Sequence, residues 1–330
     1  MKNLLTNALA LLLSPAYLFG QETGKGLDEI RIRDPFILTD DASRTYYMYA
    51  SLSEKGIKGV KVYKSSDLVN WHGPEPVFVI PSDFWAQEMV WAPEVHHYNG
   101  RYYLFVTLTS DRKLKQIDGR PEIVNRASQV FESDSPEGPF EPFANKPHTP
   151  PEWMSLDATL WVEDGQPYMI FCHEWIQTTD GTMEVVKLKN DLSVTVGKPK
   201  TIFRARQAGW VRSLGSVGAL YHGKAYEGFV TDGPFLFRTG NGKLMMIWSS
   251  FGEEKYAIGL AESKSGKVAG PWKIVPEPLY RANGGHGMIF RDFNGRLLLI
   301  FHQPNDTPNE RAKLLELEDT GSTIKLKQEL

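Results

Sequence analysis

The stretch TDGPFLFRTGNGKLMMIWSSFG, residues 231–252, sets an acid against Gly-Pro, runs through Phe-Leu-Phe, turns at Gly-Asn-Gly and returns through a second apolar run. Apolar runs flanking a Gly/Asn turn are hairpin chemistry, because Gly and Asn supply the positive φ angles that tight turns require. The plan recurs as RIRDPFILTDDASRTYYMYAS (31–51), WAPEVHHYNGRYYLFVTLTS (91–110), LDATLWVEDGQPYMIFCHEW (156–175) and GGHGMIFRDFNGRLLLIFHQP (284–304). A third strand and a polar turn follow the first four pairs, at 59–71, 128–140, 184–193 and 256–272, and residues 310–319 fill that place in the fifth unit. Each unit leaves room for a fourth, outer strand, and no stretch beyond residue 20 holds a helical period. Four-stranded units recurring about every fifty to seventy residues are the signature of propeller blades. The expectation is one all-β domain over residues 21–330, a five-bladed β-propeller. A β-sandwich also has many short strands, but it does not predict one unit recurring with its turn chemistry.

The rest of the chain bounds the function. With 330 residues and 41% hydrophobic content it can bury a large core. A formal net charge of −3, with both signs interspersed, excludes a nucleic-acid footprint. Residues 1–20, MKNLLTNALALLLSPAYLFG, have an early lysine, an apolar run and a small-residue end, the pattern of a secretory signal peptide. No later run is apolar for long enough to span a membrane. The one cysteine, Cys172, rules out an internal disulfide and a cysteine-rich zinc site, and reads as a small core residue.

Topology then selects candidate site residues. In a propeller the innermost strands line a central channel, so their starts share one mouth, and the ends of the second strands return to it. The first-strand starts offer Asp34, Glu94, Asp157, Asp232 and His286; the end of the second strand in the third unit adds His173, Glu174 and Trp175. Four acids at corresponding places of a repeat raise one another's pKa, which costs stability unless it serves chemistry. Two carboxyls with separated pKa values are what glycoside hydrolysis uses: one activates water, the other protonates the leaving oxygen. Sugar rings pack their C–H faces on indoles. Of the tryptophans near these loops, among them Trp91, Trp153 and Trp210, the better candidates are Trp85 and Trp175.

On these motifs, RDPFI, WAPEV, LDATLW, TDGPF and GGHGM, the sequence resembles glycoside hydrolase family 43 over about residues 30–318. The resemblance implies a five-bladed propeller that hydrolyses with inversion, mostly on arabinose- or xylose-containing glycans. It casts Asp34 as general base, Asp157 as the group that tunes the acid, Glu94 as a substrate-binding acid, and His286 as neighbour to an axial ion or water. The family's acid is usually Glu before Gly-Pro or Ala-Pro, and here the residue is Asp232, one methylene shorter. Asp232 and Glu174 both remain candidates for the acid, and a pairing of Glu174 with Arg33 or Arg212 is its structural alternative. The expected activity is an exported α-L-arabinofuranosidase or β-xylosidase acting as a monomer on oligo- or polysaccharide. It would need no cofactor beyond, at most, a structural Ca²⁺. The alternatives are a galactan-acting enzyme of the same family and a carbohydrate-binding propeller of weak activity.

Overall fold

A computed structural model describes residues 24–327, so the expected signal peptide lies outside the described residues. The chain forms five sheets, each of four antiparallel strands in up-and-down order. Blade 1 holds β1 (Phe36–Asp40), β2 (Thr45–Glu54), β3 (Ile57–Ser65) and β4 (His72–Val79). Blade 2 holds β5 (Met89–Tyr98), β6 (Arg101–Lys113), β7 (Val124–Ser133) and β8 (Glu141–Pro142). Blade 3 holds β9 (Ser155–Glu163), β10 (Gln166–His173), β11 (Thr182–Leu188) and β12 (Thr195–Arg204). Blade 4 holds β13 (Asp232–Arg238), β14 (Leu244–Gly252), β15 (Lys255–Ser263) and β16 (Trp272–Ile274). Blade 5 holds β17 (Gly285–Arg291), β18 (Leu297–Gln303), β19 (Arg311–Asp319) and β20 (Ile324–Leu326). The innermost strands β1, β5, β9, β13 and β17 pack each against the next, and β17 returns to β1. This is the expected five-bladed β-propeller.

The second strands read as unbroken apolar runs because both their faces are buried, each against a different neighbour. In β14, Met245 and Ile247 join the core shared with blade 5, while Met246 and Trp248 join the core shared with blade 3. In β10, Met169 and Phe171 face blade 2, and Ile170 and Cys172 face blade 4. The two-residue period of a strand is therefore present, with an apolar core on each side of it. Cys172 is fully buried, as expected of a small core residue.

The ring is closed by the segment before β1. The Ile32 N–H donates to the Glu310 carbonyl at 3.3 Å, and Arg31 bridges to Arg311 at the start of β19. Glu310, almost fully buried, accepts from the guanidinium of Arg33 at 3.2 Å and pairs with Arg31 at 3.4 Å. The one α-helix among the described residues, α1 (Trp175–Thr178), is a single turn following β10, and no helix there is long and apolar enough to cross a membrane.

Candidate active site

At one end of the channel each blade carries a left-handed residue: Asp34 (φ 51°), Ala92 (44°), Asp157 (57°), Gly233 (49°) and His286 (51°). In blades 2 to 5 the pairing of first and second strands slips at this residue, as a β-bulge does. The bulged residue loses its ladder partner and its side chain turns out of the strand toward the mouth. For a non-glycine residue that conformation costs about 1–2 kcal/mol. Blades 1, 3 and 5 place Asp34, Asp157 and His286 there.

This register corrects the expectation that all the acids are equivalent. Asp232 stands one residue before the left-handed position of its blade, and Glu94 two residues after it. Asp232 still reaches the mouth. Glu94 is buried, with His96 Nε2 at 2.9 Å from its Oε2, and is not among the residues lining the mouth cavity.

The cavity has a volume of about 610 Å³. It brings together Asp34, Asp157, Asp232, His286, Glu174 and Trp175, with Trp91, Tyr221 and Tyr256 on its walls. His286 Nδ1 lies 3.3 Å from Asp34 Oδ1 and 3.6 Å from Asp157 Oδ2. The Gly233 N–H donates to Asp157 Oδ2 at 3.1 Å. The Tyr256 hydroxyl donates to Asp232 Oδ2 at 2.9 Å. Gly233 is needed for contact as well as for its φ: a Cβ there would sit 2.8 Å from the His286 ring.

The carboxyls are driven apart. Burial pushes Asp34 up, but His286 and the Arg33 guanidinium outweigh it and hold Asp34 well below the usual carboxylate range. Asp232 is pushed up to about 8, by burial first and then by the charge of Asp157, against the pull of His286 and the Tyr256 hydroxyl. Burial and the charge of Asp34 push Asp157 up as well. Asp157 and Asp232 therefore titrate as a coupled pair beside an ionised Asp34. One cavity holds a carboxylate and a carboxylic acid at neutral pH.

Glu174 is differently placed. Both its oxygens contact Arg126 Nη1, at 2.8 and 2.6 Å, and both residues are buried. Its partner is thus neither Arg33, which goes to Glu310, nor Arg212, which goes to Glu253. Arg126 also donates to Thr109 Oγ1 at 3.1 Å, and its guanidinium carbon lies 4.1 Å over the Trp91 ring. Burial raises the Glu174 carboxyl and Arg126 opposes the rise. A carboxylate whose two oxygens share one guanidinium has no free proton to donate. Glu174→Gln is expected to lower stability by about 3–5 kcal/mol by stranding the Arg126 charge, read from urea unfolding. A thousandfold loss of kcat with unchanged stability would instead make Glu174 the acid.

Two further expected contacts fall outside the cavity. His173 stacks on Trp153, ring centroids 4.1 Å apart and planes 8° from parallel, and its Nε2 meets Gln177 Oε1 at 2.7 Å. Trp85 folds back against the core shared by blades 1 and 2, its indole N–H donating to Gln129 Oε1 at 2.6 Å. The outer wall comes instead from Leu214–Tyr221, Asn283 and Asn305–Thr307. Sequence reasoning missed Tyr256 and Arg126, which sit on the third strands β15 and β7.

A sequence model described as glycosyl hydrolases family 43 matches residues 28–318. Among solved structures, an endo-arabinase from Bacteroides thetaiotaomicron VPI-5482 is 40% identical, with a TM-score of 0.77 over 90% of this chain and 98% of that one. An extracellular endo-α-(1→5)-L-arabinanase 1 of Bacillus subtilis (strain 168) is 31% identical over 85 residues, 24% of this chain and 25% of the relative. An extracellular exo-α-(1→5)-L-arabinofuranosidase ArbA of Cellvibrio japonicus (strain Ueda107) is 24% identical over 179 residues, 51% of this chain and 46% of the relative. The matched parts of these two curated relatives thus span from a quarter to under half of their length.

Proposed function

Because this chain belongs to glycosyl hydrolases family 43, we propose that it is an inverting glycoside hydrolase acting on arabinose- or xylose-containing polysaccharide, with α-L-arabinan the first substrate to test. The observation that carries the reading is the split between Asp34 and Asp232, two carboxyls held in opposite protonation states around one cavity.

In this mechanism Asp34, ionised, takes a proton from the attacking water. Asp232, protonated, delivers its proton to the departing glycosidic oxygen as the bond to the anomeric carbon breaks. Asp157 holds the Gly233 N–H that follows Asp232 and its charge pushes the Asp232 carboxyl up, the work of a modulator. Trp91 and Tyr221 offer aromatic surface to the sugar, while Trp175 borders the cavity from within the apolar cluster around Leu214 and Val230. The shorter Asp232 side chain requires the sugar to sit deeper than a glutamate acid would allow, and the cavity walls at Leu214–Tyr221 leave that choice to the substrate.

The route runs on protein groups alone. His286 is read as a hydrogen-bonded neighbour of Asp34 and Asp157 rather than as a ligand of a structural Ca²⁺, because imidazole is a poor partner for that oxygen-seeking ion. We read residues 1–20 as an export signal, in keeping with two relatives whose names place them outside the cell.

The stereochemistry of the first product tests the reading. Proton NMR during hydrolysis of arabino-oligosaccharides is expected to show the β-anomer first, inverted from the α-linked substrate. The α-anomer appearing first would overturn the assignment of Asp34 as base to water.

A further inference from the structure

We propose that His302 is the positioning residue of Asp34 and that, with Tyr256, it sets the spacing between the base and the acid; the proposal rests on the assignment of those two roles.

A bulged N–H has no partner in its own sheet, and buried donors need one. In blades 1, 3 and 5 the second strand of the preceding blade supplies it. The Asp157 N–H donates to Thr107 Oγ1 of β6 at 2.8 Å, and the His286 N–H to Ser249 Oγ of β14 at 2.8 Å. In blade 1 the same place is taken by a ring: the Asp34 N–H meets His302 Nδ1 of β18 at 3.2 Å. A hydroxyl would suffice for the backbone. The imidazole does more, because its rigid ring also abuts the Asp34 carboxyl, Nδ1 lying 3.2 Å from the carboxyl oxygen, and limits where that carboxyl can swing.

The ring cannot turn away. His302 is fully buried, and its Nε2 lies 3.1 Å from Asn305 Oδ1, an oxygen that also accepts from the Arg33 guanidinium. That shared acceptor assigns the proton to Nε2 and leaves Nδ1 unprotonated, free to accept from the Asp34 N–H. Arg33 is in turn anchored on buried Glu310. On its other side the His302 ring stacks on Tyr256, centroids 5.7 Å apart and planes 23° from parallel. The Tyr256 hydroxyl holds Asp232. One stacked pair therefore touches the base with one member and the acid with the other, and no other pair among the described residues does so.

The test is steady-state kinetics on arabinan and aryl α-L-arabinofuranoside for His302→Asn, Tyr256→Phe and each combined with Asp34→Asn. Asn keeps a polar group near the Nδ1 place but surrenders the Asn305 tether and the stack. His302→Asn is expected to lower kcat about 30–100-fold, the loss that a misplacement of about 1 Å brings, with KM within about twofold. Added to Asp34→Asn it is expected to cost nothing more, since it acts through the group already removed. Tyr256→Phe keeps the stack and removes one donor to the ionised acid. It is expected to move the alkaline limb of the pH profile upward. An unchanged kcat in His302→Asn, a loss confined to KM, or a full further loss in the Asp34→Asn background would overturn the proposal. Should the wild type hydrolyse none of these glycosides, the functional reading fails by itself. The spacer is then judged by crystal structures of wild type and His302→Asn: a shift of the Asp34 carboxyl relative to Asp232 supports it, and an unmoved carboxyl overturns it. If His302→Asn does not fold, Asn305→Ala releases the ring from its tether without entering the core; the same kcat-only loss, smaller, supports the proposal, and none overturns it.

Discussion

Asp34→Asn is expected to lower kcat on arabinan by about 10²–10⁴-fold, the usual weight of a general base, with KM little changed. Amide nitrogen and oxygen fill the same space but cannot accept a proton at neutral pH. The structure makes this a large loss because Asp34 is the cavity's committed anion: His286 and Arg33 hold it ionised against burial. The pH dependence follows in sign. A folded pKa below the usual carboxylate range, about 3.9, puts the acid limb of kcat/KM below that pH. The same depression is a stability contribution, present above the unfolded pKa and lost as pH falls through the folded one. Asp34→Asn should therefore destabilise the protein at pH 7 and shrink that difference as the pH is lowered below about 4. A difference in Tm that stays constant from pH 7 to pH 3 would contradict the electrostatic account.

Asp232→Asn should behave in the opposite way in stability while also losing activity. Asp232 is raised to about 8, so its favourable state is the protonated one. The contribution of that state is fully present below the unfolded pKa and is lost as pH rises through about 8. A side chain that never ionises escapes the loss. The substituted protein is expected to melt about 2–6 °C above wild type at pH 8–9, the shift that roughly 1–2 kcal/mol brings in a chain of this class, and close to it at pH 4. The alkaline limb of the pH–rate profile near pH 8 should vanish with the carboxyl. An enzyme of normal alkaline limb after Asp232→Asn would place the acid elsewhere.

How much of this the sequence carried can be judged residue by residue. The five blades were legible because each repeats its turn chemistry, and because second strands buried on both faces print unbroken apolar runs such as LLLIF (297–301). Asp34, Asp157, Asp232 and His286 could be drawn to one mouth by topology, and the structure brings them together. The position of Glu94 could not be had from topology alone, since it depends on the bulge. A signal was nevertheless present: aligning Pro35, Pro93 and Pro234 in RDP, WAP and DGP matches Asp34 with Ala92 and Gly233, which displaces both Asp232 and Glu94 from the ring. Tyr256, Arg126 and Asn305 arrive from third strands and from a loop of blade 5, and nothing local marks which side chains of those elements turn inward. His173 and Trp85 read as sugar contacts because a second-strand end and a loop place them at the expected mouth. Their partners Trp153 and Gln129 belong to packing that only the folded chain reveals.

The central claim is that Asp232 gives its proton to the leaving group, and leaving-group dependence tests it most directly. Wild type and Asp232→Asn are to be compared on arabinan, whose leaving alkoxide needs a proton, and on 2,4-dinitrophenyl α-L-arabinofuranoside, whose phenolate does not. The account predicts a loss of about 10²–10⁴-fold on arabinan and about tenfold or less on the activated glycoside. Equal losses on the two substrates, or the same divergence produced by Glu174→Gln instead, would contradict it.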